Sequence, residues 1–258
     1  MAELELAQIV MLTIAALAAG TVDAIAGGGG LLTLPALVAA GVPPHMALGT
    51  NKGQSVFGSG SALALFARRG LIAPRRAAFM FPAGFAGSMA GAALVLLVSP
   101  QSLRPLILVL LAAAAVMVTT LRPRPAAERV ERGRHIAIAV AIAAAVGMYD
   151  GFFGPGTGTF LIVLFAALLG ETLLEASANA KVVNFATNLA AVVVFASQGL
   201  IDWRIAIPMG VAQLTGGQIG ARLAILGGQK VVRAVALSVV VALMGKIGWD
   251  ILSAGLSR

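Results

Sequence analysis

Two lysines, two aspartates and two glycine runs carry the chemistry available to this chain. Lys52 and Lys181 each stand about six residues inside an apolar stretch. A lysine there costs about 2.5–3.5 kcal/mol on insertion scales and marks a functional position by default. Its chemistry would be attraction of an anionic oxygen; the plainer alternative is snorkelling to an interface. Asp23 and Asp150 precede the runs Gly27, Gly28, Gly29, Gly30 and Gly154-Pro155-Gly156-Thr157-Gly158. A buried carboxylate can couple proton movement. Capping a turn, or a salt bridge to Lys52 or Lys181, are its structural alternatives. Glycine runs break a helix, and the helix that restarts after the break offers free N–H groups to an anion. Thr157 and Thr159 would add hydroxyl donors. Asn51 and Ser55 accompany Lys52. Lys181, Asn184 and Asn188 recur at helical spacing, so they share one face; Gln54, Asn179, Gln213 and Gln218 extend the polar set. Interhelical hydrogen bonding is the alternative for all of these.

These residues come in duplicate. Lys52 returns as Lys181, Phe66-Ala67-x-x-Gly70-Leu71-Ile72 as Phe195-Ala196-x-x-Gly199-Leu200-Ile201, and Gly87-x-x-x-Gly91 as Gly216-x-x-x-Gly220. The last pair is read as helix packing. Internal duplication in a very apolar chain is a mark of secondary transporters, and matched breaks locate the site.

Composition agrees. Of 258 residues, 59% are hydrophobic and 11% charged, against roughly 25% charged in a soluble domain. The absence of cysteine excludes disulfides and thiolate metal sites. No metal, cofactor or catalytic residue is expected; His45 and His135 lie far apart. The net charge of +8 comes from arginines between apolar segments. Topology and contact with anionic lipid therefore explain it better than nucleic acid, for which no aromatic-interleaved basic patch exists. The N-terminus lacks a basic n-region, so no cleaved signal peptide is expected.

The elements that must position the chemistry are helical, since the apolar runs lack period-two alternation. Leu6–Ala26 ends at the first glycine run. Leu31–Gly41 is too short to span. Met46–Ala67, Ala77–Val98 and Leu103–Leu121 read as full spans, and a polar linker at 122–134 follows. Ile136–Phe153, the short Thr159–Leu169, Ala176–Ser197, Ile205–Leu226 and Val231–Leu252 then repeat the order. The expected fold is an all-α integral membrane protein of two tandem repeats, 1–121 and 135–258. Each holds a re-entrant or broken hairpin plus three crossings. Three crossings per half invert the repeats and place both termini outside; surface-lying short segments would make them parallel. Inversion gathers Arg68, Arg69, Arg75, Arg76, the linker arginines, Arg222, Lys230 and Arg233 on one side, opposite Arg104, Arg204 and Arg258. Both arrangements satisfy the positive-inside rule. Inversion is preferred because it brings the two breaks toward the midplane. Arg104 and Arg233 are expected to begin spans, and Lys246 beside Asp250 to be interfacial.

The paired glycine runs, Pro35 in the first short segment and Ala47-Leu48-Gly49-Thr50-Asn51-Lys52 at the start of the next span resemble the sulfite exporter TauE/SafE family, also called toluene sulfonate uptake permeases. The similarity covers nearly the whole chain. It departs at Ile162, where the first half has Pro35, and at Ala178-Asn179-Ala180-Lys181. The resemblance implies transport of sulfur-containing anions such as sulfite, sulfonates or sulfoacetate in the inner (plasma) membrane. It identifies neither the anion nor the direction. Proton or sodium coupling and a homo-oligomer stay open. Alternatives are a cation- or proton-coupled carrier of another small anion, and a channel. An intramembrane aspartyl protease is disfavoured because its Gly-x-Gly-Asp pattern is missing, and would need Asp23 and Asp150 within mutual hydrogen-bonding reach.

Overall fold

The structure, a computed structural model, describes residues 5–120 and 132–256. Nearly all of the 122–134 linker lies outside the described residues, as do the side chains of Arg104, Arg233, Lys246 and Asp250. The described residues form nine helices: α1 (Leu6–Ala26), α2 (Gly30–Ala39), α3 (Pro44–Arg68), α4 (Pro74–Val95), α5 (Pro100–Thr120), α6 (Arg132–Phe152), α7 (Thr157–Leu169), α8 (Leu173–Ser197) and α9 (Trp203–Leu256). Local sequence sets their ends. Proline opens α3 and α4 at a position where its missing N–H costs nothing. Thr172 and Glu175 form a capping box on α8. The α1 break falls at Gly27, whose φ of 80° is left-handed, a region glycine enters without steric cost. Two separate spans were expected at Ile205–Leu226 and Val231–Leu252. Accordingly, α9 consists of two helical stretches separated at Gly228, whose φ of 54° and ψ of −148° are not helical.

α1, α4, α8 and residues 135–152 of α6 are long and apolar enough to cross a membrane. α3 has 25 residues, yet its polar stripe of Thr50, Asn51, Lys52, Gln54 and Ser59 is buried. The molecule is inverted relative to a soluble domain. Large apolar side chains such as Leu6, Met11, Leu97 and Leu226 face outward, while lysine, asparagine and glutamine lie inside. Such an arrangement suits hydrocarbon as solvent.

Contacts between the halves come in matched pairs. α1 packs on α9 and α6 packs on α4. Gly216 and Gly220 lie against the carbonyls of Leu17 and Thr21; Gly87 and Gly91 lie against those of Ala144 and Met148. A β-carbon at any of the four would overlap the facing carbonyl, so the small-xxx-small spacing lets backbones touch. α3 and α8 run antiparallel. Gly49, near the start of α3, meets Leu200 just past the end of α8. Ala73, past the end of α3, donates its N–H to Asn179 near the start of α8 at 3.1 Å.

Candidate functional site

The two glycine breaks meet. Gly27 and Gly158 are in backbone contact, and a β-carbon on either would overlap the other. The starts of α2 and α7 therefore converge, one from each half of the chain. Gly154 (φ 101°) and Gly156 (φ 87°) make the second turn, and α7 begins directly after it. Thr159 Oγ1 donates to the Ala26 carbonyl at 2.8 Å, which ties α7 to the last turn of α1. Ser177 Oγ on α8 donates to the Ala24 and Ile25 carbonyls at 3.1 and 3.0 Å. Irregular backbone inside a membrane needs such internal partners.

Around this junction the charged side chains pair across the halves. Lys52 Nζ lies 2.7 Å from Asp150 Oδ1, and Lys181 Nζ lies 2.8 Å from Asp23 Oδ2. A salt bridge was one structural alternative for each aspartate, and both are made. For Asp23 the capping alternative is also met, because Gly29 N donates to its Oδ1 at 3.3 Å. Asp150 Oδ1 also accepts from Thr157 Oγ1 at 2.8 Å, whereas its buried Oδ2 has no partner. Each carboxylate is thus held by its own lysine, and no hydrogen bond joins the two among the described residues. An aspartyl dyad would require that contact.

A cavity of about 30 Å³ lies between these groups. Its wall includes Asp23, Gly27, Gly29, Gly30, Asn51, Lys52, Ser55, Asp150, Gly154, Thr157, Gly158, Asn184 and Asn188, so most of the residues singled out in the sequence come together here. Lys181, Gly28, Gly156, Thr159, Gln54, Asn179 and Gln218 do not reach it. Lys181 is fully buried behind Asp23, and Gly28 and Gly156 lie within the two turns. Gln213 of α9 also lines the wall. It belongs to the polar set named in the sequence, where its polarity inside an apolar span is the signal. Asn51 is oriented by Thr33 Oγ1, which donates to its Oδ1 at 2.6 Å, and by Gln54 Nε2 at 3.1 Å. With its acceptor occupied, the Asn51 amide nitrogen is left as a donor. The site thus gathers an ammonium, amide donors and two helix starts on one small volume. The positive ends of α2 and α7 favour an anion there.

A family profile, sulfite exporter TauE/SafE, matches residues 12–247. The chain belongs to this family. It is 38% identical over 232 residues to "Probable membrane transporter protein ORF9" of Sinorhizobium sp, covering 90% of this chain and 89% of that one. It is 37% identical over 235 residues to "Probable membrane transporter protein YfcA" of Escherichia coli K12, covering 91% and 87%. A "Probable membrane transporter protein" of Haemophilus influenzae Rd is 34% identical over 232 residues, covering 90% and 91%. No solved structure matches the chain significantly. This TauE/SafE protein is a multi-pass membrane transporter, not an enzyme, as its family, relatives and apolar helices together indicate.

Proposed function

We propose that this chain is a secondary transporter of small sulfur-containing anions, sulfite, sulfonates or sulfoacetate, working by alternating access in the inner membrane. The observation that carries this reading is the convergence of Lys52 and the N-termini of α2 and α7 on one polar cavity. The two lysines and two aspartates cancel in charge, so the two positive helix ends decide the sign of the field. That disfavours sodium, whose candidate ligands Asp23 and Asp150 are already taken by lysines. Among the described residues no cluster of three acidic or histidine side chains forms a metal site.

Residues 1–121 and 135–258 act as inverted repeats joined by a cytoplasmic linker at 122–134. Support comes from the antiparallel α3 and α8 and from the paired glycine–carbonyl contacts. A cavity of about 30 Å³ has room for roughly one water molecule. Substrate enters only when the halves separate, which fits rocking of one repeat against the other better than a standing channel. Within the cavity the anion competes with Asp150 for Lys52. A proton on the unpartnered Asp150 Oδ2 would weaken that competitor and couple proton to anion; Asp23 is the second coupling candidate.

Thermal shift of the purified protein with sulfite, sulfate, thiosulfate, sulfoacetate, taurine and acetate tests this, with sodium varied separately. Stabilisation by a sulfur oxyanion that is lost in Lys52→Ala is expected. A shift with sodium and none with any anion would overturn the reading.

A further inference from the structure

Away from the cavity, a third buried ion pair occupies positions whose duplicates are apolar. Arg76, in the first turn of α4, meets Glu171 in the turn between α7 and α8; their side chains are only 14% and 7% exposed. Asn179 Nδ2 donates to the same Glu171 Oε1 at 3.0 Å. Asn179 Oδ1 in turn accepts from Ala73 N, so α3, α4, α7 and α8 are joined at one end of the molecule. That end carries Arg68, Arg69 and Arg75, and is the cytoplasmic one by the positive-inside rule.

At the other end the backbone part of this contact is repeated. Asp202 N donates to Thr50 Oγ1 at 3.0 Å, and Thr50 and Asn179 are duplicates, as are Asp202 and Ala73. The charged part is missing. Ile205 stands at the duplicate of Arg76 and Val42 at that of Glu171, both buried. Val42 and Ile205 also border a cleft of about 840 Å³ between the start of α1, the α2–α3 turn and the α8–α9 turn. One end is therefore clamped by charge, and the other is an apolar contact beside an open cleft.

We propose that Arg76, Glu171 and Asn179 form an ionic latch that closes the arginine-rich face of the transport pathway, while Val42 and Ile205 give the opposite face an apolar closure. The proposal rests on the two-access reading above. Burial raises the Glu171 carboxyl above its usual range against the opposing pull of Arg76, which places the pair in a poorly solvated pocket. Glu171 Oε2 and Arg76 Nε have no partner, so the contact is incompletely satisfied. Such a pair contributes little net stability, yet removing one partner is costly because it strands the other charge. A latch needs both properties: it releases when both groups reach water together and resists half-opening.

Because the chain has no cysteine, a thiol placed at the cavity wall by Ser55→Cys is unique. Its reaction with a membrane-impermeant maleimide is followed in oriented vesicles from each face. On the S55C background, Glu171→Ala is expected to raise labelling from the arginine-rich face about tenfold. The charge exchange R76E/E171R should return it toward the parent rate. Asn179→Ala, which removes one donor and leaves the ion pair, should move it the same way by less, and serves if E171A does not fold. Labelling from both faces with rates unchanged in E171A and N179A would overturn the latch and leave the transporter reading standing. Labelling from a single face in every variant would overturn both.

Discussion

The Lys52–Asp150 and Lys181–Asp23 pairs are duplicates in sequence and unequal in structure. Both cross between the halves, at 2.7 and 2.8 Å. Lys52 and Asp150 both line the cavity; of the other pair only Asp23 does, with Lys181 sealed behind it. Their partners differ too. Thr157 gives Asp150 a hydroxyl donor, whereas the matching position is Gly30, and Asp23 takes the Gly29 N–H instead. Gln213 enters the wall where the first half has Gly84, and Asn51 where the second has Ala180. The crosswise lysine–aspartate pairing is common to both, and the pocket around each differs. We read Lys52–Asp150 as the working pair and Lys181–Asp23 as the pair that anchors α8 to the α1 break.

The frame common to both pairs is the most sensitive target. Gly27→Ala and Gly158→Ala each force a β-carbon into the facing glycine backbone, and Gly27 is also left-handed. A loss of about 3 kcal/mol or more is expected from overlap and backbone strain, read as a collapse of the monodisperse peak in size-exclusion chromatography. Gly30→Ala, whose β-carbon comes no closer than 3.3 Å to Pro155, should be tolerated far better. Equal behaviour would mean the breaks do not abut as described.

Next come the pairs themselves. Asp150→Ala leaves the buried Lys52 charge without its partner, at a cost of about 3–5 kcal/mol. The double variant K52A/D150A should recover much of that loss in a thermal unfolding cycle. Lys181→Ala should cost less, because the Asp23 side chain it strands is 21% exposed, against 5% for Asp150. A larger loss in K181A than in K52A would reverse the ranking.

Gln213 sharpens the comparison on the binding side. Gln213→Ala is expected to weaken anion binding about fivefold, the worth of one neutral hydrogen bond, measured by titrating the thermal shift. An unchanged midpoint would remove Gln213 from the site.

The smallest effect concerns pH and the two ends of the molecule. Burial raises the Glu171 carboxyl, so the folded protein holds that proton more tightly than the unfolded chain does. Stability is therefore greatest below the ordinary carboxylate range and falls as pH rises through the raised value. Glu171→Gln removes this component. The difference in melting temperature between E171Q and the parent should grow in favour of E171Q as pH increases across that window. At the other end Val42 supplies no such titration, and Val42→Ala should show a pH-independent difference.

Much of this was legible in the residues. The glycine runs and prolines marked the helix ends, and the short segments appeared as α2 (Gly30–Ala39) and α7 (Thr157–Leu169) within two residues of expectation. Helical spacing grouped Lys52 with Ser55 on one span and Asn184 with Asn188 on the other, and all four line the same cavity. Two things were not readable. Periodicity says which residues share a face but not which helix that face meets, so the crosswise lysine–aspartate pairing depends on packing between halves. The Arg76–Glu171 contact joins two turns nearly a hundred residues apart, and nothing local to either announces it.

The most direct test of the central claim is uptake of labelled sulfite and sulfoacetate into proteoliposomes holding parent, K52A or K181A protein of matched folded content. The account predicts saturable uptake of at least one of these anions, reduced about tenfold or more in K52A and retained in K181A in proportion to its folded fraction. Uptake unchanged in K52A would contradict it, and would remove Lys52 and the cavity it lines from the transport path.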